Sequence, residues 1–252
     1  MVKLYSSGTK ADEYEYEYSL FPPEELSEIS VASDCRQENN DSIHRHRKEH
    51  YNNLNICLSI PMSGVYQMPE LASFSGDVPC RLIPFHTAIS GTDFNAGVHF
   101  YIDDYMFERI WTFPEKYVKK LSRFSCVIGP DFSQYANMSY PMRMWNCYRN
   151  RVLSSYFQAN GVKVVPNVTW SLPDSYDYSF SGIPQNSIIA VNCTSIIHCN
   201  LSKYLWYKGY NEALRRLAPS RIIRYGSIME GERQDISTYF ENDRLRMLRY
   251  GR

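Results

Sequence analysis

Five positions in this chain put an acid, an amide or a phenol at or just past the end of an apolar run. They are Asp103 after Phe100-Tyr-Ile102, Asp131 after Ile128-Gly-Pro130, Asn167 after Val164-Val-Pro166, Asn192 after Ile189-Ala-Val191, and Tyr225 closing the run from Arg221. Paired carboxylates can divide acid and base roles when their surroundings separate their pKa values. Asp131 and Asp103 are the candidate catalytic residues, and glycosidic or N-glycosidic hydrolysis would suit such a pair. Asn167, Asn192 and Tyr225 would orient a ligand, and Trp170, three residues past Asn167, offers a ring on which a base or sugar can stack. Asp104, just before Tyr105-Met-Phe-Glu108, reads as a helix cap. No cap explains Asp131, because the next helix starts about ten residues later.

That helix follows Ser139, and residues 139–151 hold three arginines and two asparagines among aromatics. Trp145, Tyr148, Val152 and Tyr156 recur at helical spacing and form the expected core stripe. Arg143, Asn146 and Asn150 line an adjacent face, with Arg149 beside Asn146. Guanidinium forks suit carboxylate or phosphate, so Arg143, Asn146 and Arg149 are candidate binders of an anionic small molecule or nucleotide. The same residues could instead form a buried network locked to Asp131, since a buried arginine must be paired.

The elements that must position these groups alternate. Strands are expected at 80–85, 97–102, 125–129, 162–166, 187–192 and 221–225, and residues 54–60 could hold one more. Helices are expected over 103–111, 114–121, 141–160 (closed by Gly161) and 201–217, with a long aromatic loop from Ser171 to Gly182. From the strand at 97 onward, starts fall 25 to 37 residues apart, the length of a β-α unit. The fold class is therefore α/β with a mainly parallel sheet, read first as a reduced or irregular (β/α) barrel and second as an open doubly wound sheet. In either, ligands bind at the carboxyl ends of the strands.

The 252 residues balance 27 basic against 27 acidic side chains, but unevenly. Residues 1–50 hold eleven acids and six bases and read as a partly disordered acidic arm; residues 51–226 form the α/β domain; residues 227–252 read as a basic tail that could touch nucleic acid. Tyr14, Tyr16 and Tyr18 alternate with glutamates, as an edge strand or a disordered arm would. His44, His46 and His50 lack the rigid apolar setting of metal ligands, and no metal site is assigned. Seven cysteines without short paired spacing, no signal-like leader and no run of about 20 apolar residues argue for a cytoplasmic chain with reduced thiols and no membrane span. Walker, dinucleotide, nucleophile-elbow and zinc-protease motifs are missing, so no cofactor is named. Cys193 and His198 would need contact in space to act as a nucleophile pair.

Gly97-Val-His-Phe-Tyr-Ile-Asp-Asp104, Gly129-Pro-Asp-Phe-Ser133, Trp145-Asn-Cys-Tyr-Arg-Asn-Arg151, Gly161-Val-Lys-Val-Val-Pro-Asn-Val-Thr-Trp-Ser171 and Arg224-Tyr-Gly226 together resemble the bacterial and phage family known as domain of unknown function 4417. The resemblance implies a bacterial, phage or other mobile-element origin and an intracellular location, and it carries no activity with it. Three functions stay open: an enzyme acting on nucleotides, nucleosides or sugars, a non-enzymatic nucleic-acid- or protein-binding accessory protein, and a ligand-sequestering protein.

Overall fold

The computed structural model describes residues 3–6, 14–18, 51–57, 59–194, 196 and 199–242. The chain divides into two units, Met1–Lys48 and Glu49–Arg252. In the first, Lys3–Ser6 pairs antiparallel with Tyr14–Tyr18, so the Tyr/Glu alternation belongs to a hairpin. His44, His46, His50 and the polar run around them lie outside the described residues.

Among its described residues the second unit has a short antiparallel pair, Met62–Ser63 with Met68–Pro69, and a parallel array of seven strands: β1 Leu82–Pro84, β2 Gly97–His99, β3 Cys126–Ile128, β4 Val164–Val165, β5 Ile188–Asn192, β6 Arg221–Tyr225 and β7 Ser237–Phe240. Every ladder between them is parallel. One sheet runs β1-β2-β3-β4 and another β5-β6-β7. A parallel bridge between Asn167 and Ala190 joins β4 to β5. Helices α1 Phe85–Ser90, α2 Glu115–Leu121, α3 Tyr140–Ala159, α4 Tyr176–Phe180 and α5 Asn200–Leu217 fill the connections as far as β6. Gly161, at φ +78, turns the chain from the end of α3 toward β4, a backbone state that costs glycine little.

Side chains alternate across the strands. Val127, Val164, Ile189, Val191 and Ile222 face the helices, joining two apolar clusters built with Val152 and Phe157 of α3 and with Trp206 and Ala213 of α5. Cys126, Ile128, Val165, Ala190, Ile223 and Tyr225 face the other way and meet one another together with Leu82 of β1. Tyr225 on β6 touches His99 on β2, ring centroids 4.5 Å apart. In a flat sheet those strands would stand about 19 Å apart, four spacings of about 4.8 Å, so the array curls strongly about its inner face.

Strand order follows chain order without the reversal that defines a doubly wound sheet. No ladder among the described residues joins β1 to β7, so a closed barrel is not present either. Two expectations need correction. Leu54–Cys57 is a helical turn, not a strand, because a short apolar run fits both states and the left-handed Asn52 and Asn53 tighten the chain before it. The domain also runs past residue 226: β7 pairs with β6, so residues 227–242 are its last unit and not a tail. Among the described residues, no helix is long and apolar enough to cross a membrane.

Candidate functional site

Beyond β2, β3, β4 and β5 the chain opens into a cleft of about 430 Å³. Asp131, Asn167 and Asn192 come to it from the ends of three successive strands, and Asp103 and Trp170 line it too. Half-buried Asp131 accepts a hydrogen bond at Oδ1 from Asn167 Nδ2, 2.9 Å away. Asn167 Nδ2 also donates to the Pro130 carbonyl, and its Oδ1 accepts from the Tyr101 hydroxyl at 3.0 Å. The Asn192 amide reaches Asp131 as well, and its Oδ1 accepts from the backbone N–H and hydroxyl of Thr194. Each amide is thereby fixed in one orientation, its N–H toward the carboxylate.

Burial pushes the Asp131 carboxyl up to about 6, against the two amide donors, and the Asp104 carboxylate adds to the rise. Burial and the charge of Asp131 together raise the Tyr101 phenol well above its ordinary value, so it stays a neutral donor. A carboxyl that titrates near neutrality can both give and take a proton. No Lys, Arg or His is found among the described residues lining the cleft.

The loop that carries Asp131 is held from behind by α3. Asn150 accepts from the Phe132 N–H at 2.8 Å and donates to the Phe132 carbonyl, pairing with it as a neighbouring strand would. Asn146 donates to the Ser133 carbonyl at 2.6 Å, and Asp104 accepts from the N–H and hydroxyl of Ser133. Asp104 therefore clamps this loop instead of capping a helix. Buried backbone groups need partners, which explains why α3 turns Asn146 and Asn150 inward while Trp145, expected in the core, is 39% exposed.

The arginines also serve the scaffold. Arg143 forms a two-pronged ion pair with Asp174 before α4, both bonds 2.8 Å. Arg149 bonds Glu108 and Asn146 and lies over the Phe132 ring. Neither arginine nor Asn146 lines the cleft, and among the described residues no arginine is bonded to Asp131. Tyr225 lies beside the cleft lining, its ring 5.0 Å from Tyr101. The aromatics of α4 pack inward: Tyr178 and Phe180 are buried. Cys193 is enclosed, bonded to Arg224 and the Ser227 carbonyl, and burial raises its thiol above the usual range, so it is no poised nucleophile. His198 lies outside the described residues.

Several lining residues escaped the sequence reading: Tyr101, Gln134, Ser171, Thr194 and Trp206. Tyr101 had a legible signal, standing two residues before Asp103 and two after the inward His99. Gly209 had another, since a glycine inside α5 costs about 1 kcal/mol relative to alanine. It is there because the Trp170 indole packs against it, where a methyl group would overlap the ring. Gly209→Ala is therefore expected to lower the melting temperature despite alanine's better helix propensity, and to displace Trp170 from the cleft wall. A higher melting temperature with unchanged Trp fluorescence would show that the contact is loose.

The chain matches the family described as Domain of unknown function (DUF4417) over residues 60–243. It belongs to that family. The match takes in all seven strands, every cleft residue and the final unit through β7. The chain is 30% identical over 187 residues to the Gene 1 protein of Mycobacterium phage L5, spanning 73% of this chain and 81% of that protein. It is 32% identical over 182 residues to the Gene 1 protein of Mycobacterium phage D29, spanning 69% of this chain and 66% of that protein. No solved structure matches this DUF4417 chain.

Proposed function

We propose that the cleft is a small-molecule site in which Asp131 exchanges a proton with a neutral, nucleoside- or sugar-like ligand. The observation that carries this reading is the Asp131 carboxyl at the cleft wall, bonded by two amides of fixed orientation, where burial pushes it up to about 6. Structural carboxylates are usually ion-paired and pulled down; among the described residues, half-buried Asp131 is bonded to neutral amides, not to a cation, and is raised. Absence of cationic groups from the described lining speaks against an anionic ligand, since Arg143 and Arg149 are spent on Asp174 and Glu108.

The reaction that fits is hydrolysis of a glycosidic or N-glycosidic bond. Protonated Asp131 would give its proton to the leaving atom as the bond to the sugar carbon breaks. A water oxygen would bond to that carbon, and the exposed Asp103 carboxylate would take the proton the water loses. The curled, sequential strand array is read as a reduced (β/α) barrel left unclosed between β1 and β7, which supports a site at the carboxyl ends of its strands. The phage origin of the relatives fits a mobile-element role without choosing the substrate.

Thermal-shift screening of wild type and Asp131→Asn against nucleosides, sugars and nucleotides tests the reading. A neutral ligand should raise the wild-type melting temperature, the equivalent of about 2.7 kcal/mol at a hundred times its dissociation constant, and lose most of that effect in the variant. Stabilisation by nucleotides alone, equal in both proteins, would contradict it.

A further inference from the structure

Gln134 lines the cleft, is only 8% exposed, and neither its Nε2 nor its Oε1 has a hydrogen-bond partner. The amides around it behave differently. Asn146, Asn150 and Asn167 each use both ends of the amide, and Asn192 bonds Thr194 and Asp131. Ser171, 7% exposed in the same lining, likewise has a hydroxyl without a partner. Most buried side-chain polar groups are paired, and a carboxamide with both ends unpaired at a cleft wall is placed to pair with what enters the cleft.

From this juxtaposition we infer that Gln134 and Ser171 read the edge of a nucleobase, which makes the ligand a nucleoside. The inference rests on the proposed small-molecule site and narrows it. A carboxamide presents one donor and one acceptor side by side in a plane. Its complement is a planar edge with an acceptor beside a donor, the pairing by which Gln and Asn recognise adenine. Sugar hydroxyls rotate and impose no such fixed pair. The neighbouring wall is aromatic: Trp170 and Trp206 stand 5.9 Å apart between ring centroids, and Tyr135, 57% exposed, lies in the lining too. Apolar ring faces with one in-plane amide suit a base. The Asp131–Asn167–Asn192 cluster is left to face the remainder of the ligand.

Titration calorimetry on the full chain tests this, with adenosine, cytidine, guanosine, uridine and methyl ribofuranoside as probes. At least one nucleoside should bind wild type tenfold or more tightly than methyl ribofuranoside. Gln134→Leu should lose about 10- to 100-fold of that affinity, bind methyl ribofuranoside within about twofold of wild type, and melt no lower, because an unpaired polar group is replaced by an apolar one. Gln134→Glu keeps the shape and the acceptor but removes the donor, and should lose affinity in the same way. Nucleoside binding unchanged in both variants, or no preference over methyl ribofuranoside, overturns the inference. If methyl ribofuranoside still binds wild type and fails on Asp131→Asn, the broader site reading survives that result. A wild type that binds none of the probes sinks both.

Discussion

Replacing Glu232 with alanine is expected to cost about 3–5 kcal/mol of folding stability, the usual penalty for orphaning a buried charge. Arg224 stands in the middle of β6 between the inward-facing Ile223 and Tyr225, so its side chain goes to the helix-covered face, where it is 0% exposed. There Nε meets Glu232 Oε1 at 2.8 Å, and the remaining donors reach the carbonyls of Val191, Tyr225 and Ser227. Its guanidinium also lies 4.8 Å from the Trp206 ring centroid, behind the cleft wall. Remove the carboxylate and a buried cation is left with three carbonyls and the Cys193 sulfur as its partners. Urea unfolding measures the loss, and a cost under about 1 kcal/mol would show that Arg224 can reach water. Arg224→Met combined with Glu232→Leu should recover most of the stability, since apolar replacement of a buried pair is often neutral. Truncation after residue 226 would remove both Glu232 and β7 and is expected to unfold the domain. A nucleic-acid role for the basic end is therefore tested by truncating after residue 242.

Asp131→Asn is expected to change how stability depends on pH and, for the hydrolysis proposed above, to lower turnover by about 10²- to 10⁴-fold, the range attributed to a positioned acid or base. The folded-state pKa, about 6, lies above the unfolded value of about 3.9. A raised pKa means that the folded state holds the proton more tightly. The contribution is thus fully present below about pH 4 and is lost as pH rises through 6. Relative to Asp131→Asn, wild type should lose roughly 3 kcal/mol between pH 3 and pH 8, two pKa units at about 1.4 kcal/mol each. Comparing the two proteins across pH cancels any fixed difference, such as the variant's amide facing the Asn192 amide. A difference that stays flat across that range would place Asp131 among ordinary solvated carboxylates.

The β-α rhythm could be read because each of the first six strands lies in an apolar run set off by turns; β6 was bounded as found, Arg221–Tyr225. Strands at the cleft are shorter than the runs suggested. Gly97–Ile102 ends as a ladder at His99, since the residues beyond bend away to deliver Tyr101 and Asp103 to the opening. Acids and amides past strand ends were legible for the same reason. Side-chain type alone misled at Arg143 and Arg149: a guanidinium declares that it can hold an anion, but not that the anion is Asp174 or Glu108 of the same chain. Gln134 carried no signal at all, for it sits in an aperiodic loop placed by Asn146, Asn150 and Asp104 from elsewhere in the sequence. Residues 227–242, Glu232 among them, were read as part of a tail because charges beyond the last apolar strand look solvated until a seventh strand is added after them.

Carboxyl-carbon NMR titration of Asp131, assigned by comparison with Asp131→Asn in the intact chain, tests the account most directly. An inflection near 6 that moves on nucleoside binding is the predicted result. An inflection near 4 that ignores the ligand would contradict it, leaving a carboxylate that binds its two amides and does no proton chemistry.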